Sequence, residues 1–242
     1  MTRVTLKRVR DFCCLSAICM VAFGSAHAAV TPTATLKNPI PPRAQAPAVT
    51  GVYKGFQPVN VLVNGNGDAD IGSDSSVRFV CPSHWACNRE FTIVQYGVES
   101  FPSSRDPGPS DRGANMFAGG GGGQGNVSTA TQTINLASFG GRISSGQQTF
   151  TLSGYLGGWG NQDDHADVWV VFMDANGAQI GSPTNLQSVT PGERHDVNAL
   201  LARTATGTVP AGATSAVVTV QMTELDGGYN DGYADSLSLI LN

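Results

Sequence analysis

The sequence lacks the long amphipathic stripe of a packed helix: apolar residues hold helical spacing for no more than a turn or two, over residues 196–203. It also lacks an internal repeat, which sets aside solenoids and propellers. The apolar run at residues 12–23 is too short to span a bilayer as a stable helix. GxSxG and HExxH are both absent, and His84, His165 and His195 lie far apart in the chain, so no common hydrolase signature is present. Residues 119–125 satisfy GxGxxG through glycine density alone; no helix start follows, which removes a dinucleotide site and leaves a glycine loop. Positive charge is scarce, with 14 Lys and Arg against 18 Asp and Glu.

What is present begins with a basic head (Arg3, Lys7, Arg8, Arg10), a short apolar middle and Ala26-His27-Ala28. That order describes an export signal over residues 1–28, followed by a secreted or periplasmic chain with no membrane insertion. Removing it leaves 10 Lys and Arg against 17 Asp and Glu, a formal charge of −7. Nucleic acid and anionic membranes both need clustered basic residues, so neither suits this chain as a partner. Cys13, Cys14 and Cys19 leave with the signal. Cys81 and Cys87 remain, and in an oxidising compartment they are expected to close a small disulfide loop; a Cys and His metal site would need more ligands than His84 adds.

Residues 29–58 are rich in Pro, Ala and Thr and read as an extended leader. Residues 59–242 are long enough for one domain with a sizeable core. Within them, short runs of alternating apolar residues are separated by Gly, Asn, Asp and Ser. The clearest predicted strands are 131–136, 148–156, 167–173, 215–222 and 236–241, with others at 59–64, 77–81, 91–96, 115–118 and 186–190. Residues 167–173 are apolar on both faces, the pattern of a central strand covered on both sides, whereas 215–222 has the pattern of a half-buried one. The fold class is all-β, an antiparallel sandwich or barrel.

Two turns are crowded with oxygen ligands. Asn64, Asn66, Asp68 and Asp70 alternate just after the first predicted strand, and Asn230, Asp231 and Asp235 precede the last. If the first and last strands pair, Asp68 and Asp70 meet Asp235 around one hard cation, and Ca²⁺ takes six to eight oxygens of this kind. The spacing is not that of an EF-hand. Asn, Asp and Gly are also the ordinary formers of solvated turns, so a turn without an ion is the alternative.

The pairing of "VNGNGDADIG" with the terminal "NDGYADSLSLIL" resembles the galactose-binding-like jelly-roll superfamily, which includes many secreted bacterial carbohydrate-binding modules. "TFTLSGYLGGWGNQDDHADVWVVFMDANG" and "VPAGATSAVVTVQM" follow the order of segments in such proteins, so the resemblance spans residues 59–242. It implies a jelly-roll β-sandwich and a structural calcium between the first and last strands. Asp70 and Asp235 are the best positional matches for that ion, with Asn66 and Asp68 less closely placed because "NGNGD" stands where the shorter "NGD" is common. Sugar sites vary among members, so no sugar contact transfers by motif.

From the residues themselves, the loop 157–165 is the candidate ligand site. Trp159 between glycines has room to present its ring, and Asn161, Asp163 and Asp164 bring groups suited to sugar hydroxyls. Tyr229 is a further candidate, as is Tyr233. The alternative is that Trp159 closes the edge of the core while its polar neighbours shape a hairpin. Asp163, Asp164 and His165 also leave open an acid/base group, and Glu193 to Asp196 is another polar cluster. The leading expectation is therefore a non-catalytic, calcium-stabilised protein that binds a glycan or other extracellular polymer. An extracellular polysaccharide hydrolase or lyase and a structural or adhesive surface protein are the alternatives.

Overall fold

The computed structural model describes residues 56–121 and 125–242. The expected export signal over residues 1–28, and all but the last residues of the expected leader, lie outside the described residues. Among the described residues eleven strands follow in order: β1 (Val59–Asn60), β2 (Ala86–Asn88), β3 (Thr92–Gln95), β4 (Asn115–Gly120), β5 (Val127–Asn135), β6 (Thr149–Gly158), β7 (His165–Met173), β8 (Gln179–Leu186), β9 (Ala199–Thr208), β10 (Ser215–Thr223) and β11 (Asn230–Leu241). A short helix, α1 (Gly140–Ser144), follows a single 3-10 turn between β5 and β6.

The strands form two antiparallel sheets. One runs β3-β4-β11-β6-β9, with β1 also on β11; the other runs β2-β5-β10-β7-β8. Alternation decides what each sheet turns inward. On β10, Ala216, Val218, Val220 and Met222 are fully buried, and β7 contributes Ala166, Val168, Val170 and Phe172. Facing them are Phe150, Leu152 and Leu156 of β6 and Leu237, Leu239 and Leu241 of β11, with Phe150 and Phe172 5.1 Å apart between ring centres. This is the jelly-roll β-sandwich expected from the sequence.

First and last strands do lie side by side. Val59 pairs with Leu241 and Asn60 with Ile240, and past the ladder Leu237 N–H donates to Gly65 O at 2.8 Å. The disulfide expected between Cys81 and Cys87 is present, with Cα atoms 5.9 Å apart. Trp85, inside its loop, packs on Phe117 at 5.5 Å and donates its indole N–H to Asn64 O at 3.0 Å, which ties the loop to the first oxygen-rich turn.

Four local expectations are corrected. Residues 196–203 do not start a helix: from Ala199 they are β9, whose Ala and Thr alternation has little apolar signal and is held by its ladder with β6. Residues 186–190 are not a strand of their own; β8 ends at Leu186. Residues 77–81 are not a strand, although Val80 N–H is held by the Thr92 hydroxyl at 2.9 Å. β7 is central but covered on one side only. Its second face, Trp169, Val171 and Met173, is half-buried, shielded by neighbours in its own sheet such as Thr219 and Asn185 rather than by another layer.

A second, smaller apolar cluster lies apart from the main core. Val94, Met116, Ala118, Leu200 and Tyr233 pack with Phe101, which arrives on the loop after β3. Arg112 anchors that loop by donating to Ser103 O, Asp106 O and Pro109 O, and its guanidinium lies 5.2 Å over the Tyr96 ring. The loop is thereby brought to the same region as the ends of β4 and β6 and the start of β11.

Candidate functional site

A cleft of about 450 Å³ opens among these loops. Trp159 and Gln162 enter from the turn between β6 and β7, Tyr229 and Asp231 from the start of β11, and Glu99 and Phe101 from the loop after β3. Val77, exposed at 82%, adds an apolar edge.

The geometry of the Trp159 turn has a local cause. Gly158 leaves no room for a side chain: a Cβ there would lie 2.6 Å from Asp164 O and 3.0 Å from the Arg194 guanidinium. Arg194, only 1% exposed, runs beneath the turn and donates to Gly160 O, Val197 O and Gln162 O. Asn198 accepts the Gly160 N–H at 2.9 Å. With its backbone clamped from below, Trp159 turns its ring outward, 36% exposed. The Glu193 to Asp196 cluster thus has an architectural use, since Glu193 is likewise engaged by Thr190 and Arg203.

Of the five sequence-predicted ligand residues, Trp159 and Tyr229 line the cleft together; Asn161 and Asp163 are exposed on the same turn without lining it. Asp164 is fully buried and is not a surface contact. Oδ1 accepts Leu225 N–H at 2.6 Å and Asp226 N–H at 2.9 Å, and Oδ2 accepts Asp231 N–H at 2.9 Å. A carboxylate pinned by backbone donors from the opposite loop is a joint between loops, which also removes it from acid/base work with His165. His165 instead pairs with Asp167 at 3.4 Å, and that contact raises its pKa.

Tyr229 is half-buried and packs edge-on against Phe101 at 5.4 Å. Its hydroxyl is buried without a hydrogen-bond partner, and burial raises its pKa, followed by the charges of Asp231, Glu99 and Glu90. Asp231 accepts a hydrogen bond from the Tyr233 hydroxyl. Burial pushes its carboxyl up to about 6, against the lowering effect of that bond. Phe101, Glu99, Gln162 and Asp231 were not singled out as cleft residues by sequence reasoning. They come from three separate loops, Glu99 and Phe101 sharing one, and nothing in the sequence signals that these loops meet.

The residues expected to hold a metal fit one only in part. Asp70 is turned away: its oxygens accept Ser83 N–H at 2.7 Å, the Ser83 hydroxyl and Asn64 Nδ2 at 3.1 Å. Asp68 accepts Ala114 and Asn115 N–H at 2.9 and 3.0 Å, with Asn66 Nδ2 at 2.7 Å. Asp235 is buried at a bulge of β11 and accepts the Tyr96 hydroxyl at 2.6 Å. Burial raises its pKa to about 6, and the charge of Asp68 adds to the rise. Asp68 and Asp235 therefore sense each other. Among the described residues, however, no three Asp, Glu, His or Cys side chains gather as a metal-holding group. Any ion here would need amide, carbonyl and water oxygens besides these two carboxylates.

Among the described residues no helix is long and apolar enough to cross a membrane. No protein-family model matches the sequence, and neither does any curated protein. Solved structures with a similar chain path include the enzymatically active domain of tailspike protein 4 from bacteriophage CBA120, at 14% identity and TM-score 0.48, covering 76% of this chain and 21% of that one. A second is TmCBM61 in complex with β-1,4-galactotriose, at 13% identity and TM-score 0.45, covering 75% and 97%. A third is the Stig cyclase Fisc from Fischerella sp. TAU, at 12% identity and TM-score 0.48, covering 77% and 98%. Likeness this distant carries no argument about ligand or activity.

Proposed function

We propose that this is a secreted, non-catalytic glycan-binding protein that takes its ligand in the cleft between Trp159 and Tyr229. The observation that carries the reading is a large aromatic ring held outward by a rigid, clamped turn beside a concave surface that also offers Gln162, Asp231 and Ser100. Sugar rings have apolar faces and polar rims, and this combination of ring and hydrogen-bonding groups serves both. Removing the Trp159 ring loses stacking and buried area of about 2 kcal/mol, or roughly 30-fold in affinity. Trp159→Ala, assayed by calorimetry against the hits of a glycan array, is expected to show that loss with an unchanged melting temperature. An array and polysaccharide panel without hits sinks the reading.

A second reading, acid-assisted cleavage of an extracellular polysaccharide, is favoured by one feature, the Asp231 carboxyl lifted to about 6 at the cleft. Release of reducing ends by the native chain and its loss in Asp231→Asn would replace binding with catalysis.

A calcium brace between the first and last strands is a separate proposal, centred on Asp68 and Asp235 with Asp70 left out. Its support is the mutual repulsion of two carboxylates that a cation would relieve. Millimolar calcium is expected to raise the melting temperature of the native chain and not of Asp235→Asn; equal behaviour of the two removes the proposal.

A further inference from the structure

The charge of the cleft narrows its ligand, granted that it binds a glycan at all. Of its lining residues, the charged ones are Glu99 and Asp231, both acidic. A third carboxylate, that of Glu90, sits beside the lining residue Gly121: a Cβ there would be 3.2 Å from Glu90 Oε2, an oxygen buried without a hydrogen-bond partner. All three charges reach the Tyr229 hydroxyl, which is itself buried and unpartnered. Behind Asp231 stands a further acid, Glu224, fully buried with neither carboxylate oxygen hydrogen-bonded; burial raises its pKa and favours its neutral form, so the charge of the cleft rests on Glu99, Asp231 and Glu90.

Among the described residues, the lining holds no Lys, Arg or His. Arg194 lies beneath the Trp159 turn with both Nη atoms committed to backbone carbonyls, and it lowers the Asp231 carboxyl only as the last of several influences. Arg78, close in sequence to Val77, pairs with Asp74 at 3.4 Å. The field at the mouth is therefore negative, repelling uronate and sulfated sugars and attracting positive ones.

Among the described residues the acidic side chains do not gather into a metal-holding group, so nothing in the cleft favours a bare ion over an organic cation. An ammonium carried on a sugar ring suits the cleft better. Its ring face stacks on Trp159, its charge is met by Glu99 and Asp231, and the electron-rich face of Tyr229 adds to the attraction. We propose that the cleft selects amine-bearing glycans, oligomers of hexosamine with free amino groups, over their N-acetylated and acidic counterparts. This rests on the cleft being the glycan site.

The test is calorimetry of the full chain with a glucosamine hexamer, its fully N-acetylated form and a galacturonate hexamer. The free-amine hexamer is expected to bind about tenfold tighter than the acetylated one at low salt, narrowing at about 0.5 M salt as screening shortens the reach of charge. Glu99→Gln, at an exposed position, is expected to shrink the preference several-fold with unchanged melting, and galacturonate is expected to show no binding. Equal affinity for amine and acetylated forms, or a preference untouched by both Glu99→Gln and Asp231→Asn, overturns the amine selectivity and leaves the glycan reading standing. Binding of none of the three, together with an empty wider panel, removes the glycan reading itself. Equal binding of a lysine hexapeptide that Trp159→Ala leaves unchanged overturns the proposal in favour of plain cation capture.

Discussion

Replacing Asp164 separates a joint between loops from a ligand contact. Its carboxylate accepts three backbone N–H groups, from Leu225, Asp226 and Asp231, and the side chain is fully buried. In Asp164→Ala those donors, in part-buried bonds, lose their acceptor. A buried donor left unmade costs about 1–3 kcal/mol, and relaxation of the 225–231 loop recovers part, so a loss of about 3–5 kcal/mol is expected. Asp164→Asn keeps one oxygen for Leu225 and Asp226 but turns an amide N–H₂ toward the Asp231 N–H. One charge-assisted bond becomes a donor facing a donor, for a loss of about 2–3 kcal/mol. Urea unfolding followed by tryptophan fluorescence reads these differences. Because Tyr229 and Asp231 stand on the loop that Asp164 holds, glycan affinity is expected to fall with stability in both variants. An Asp164→Ala chain of native stability that has lost only its ligand would refute the argument and return Asp164 to the binding surface.

Asp235 is expected to respond to pH in the sense of a carboxyl whose folded pKa is raised. The folded chain holds its proton more tightly than the unfolded one, so stability falls as pH rises from about 4 to about 6 and then levels. The shift of about two units caps the penalty near 3 kcal/mol; allowing for the altered bond to Tyr96, Asp235→Asn is expected to be about 1–2 kcal/mol more stable than the native chain at pH 7.5 without calcium. Parallel unfolding curves at pH 4 and 7.5 would contradict this. Reducing Cys81–Cys87 opens a loop with a sequence separation of 6, for which chain entropy gives a loss of about 2 kcal/mol. Since the same loop anchors Trp85 over the Asn64 turn, exchange protection is expected to fall first at residues 60–70; uniform loss would separate the disulfide from that turn.

The legibility of this chain follows the range of the interactions. Period-2 alternation in residues 215–222 and 236–241 is a local pattern with one solution, and β10 and β11 formed there. β9 escaped because small Thr and Ala residues carry almost no local preference, and its identity comes from ten residue pairs made with β6. The double apolar face of β7 suggested a covered strand, whereas Trp169 is shielded only by its sheet neighbours. At the site, Trp159 announced itself through its glycines, and Tyr229 through the terminal turn. Asp164 looked like any exposed loop acid; only its three backbone donors show otherwise.

By itself the sequence determined the all-β class and the disulfide, because each depends on residue chemistry or short spacing; it raised the pairing of the first strand with the last and an outward Trp159 as expectations that only the structure decided. Tertiary structure alone decided which carboxylates meet. It turned Asp70 toward Ser83, set Asp68 and Asp235 within reach of each other's charge, buried Asp164, and brought Glu99 and Asp231 into one cleft. Carboxylates look alike along a chain; their roles are assigned by the donors and charges that distant strands carry to them.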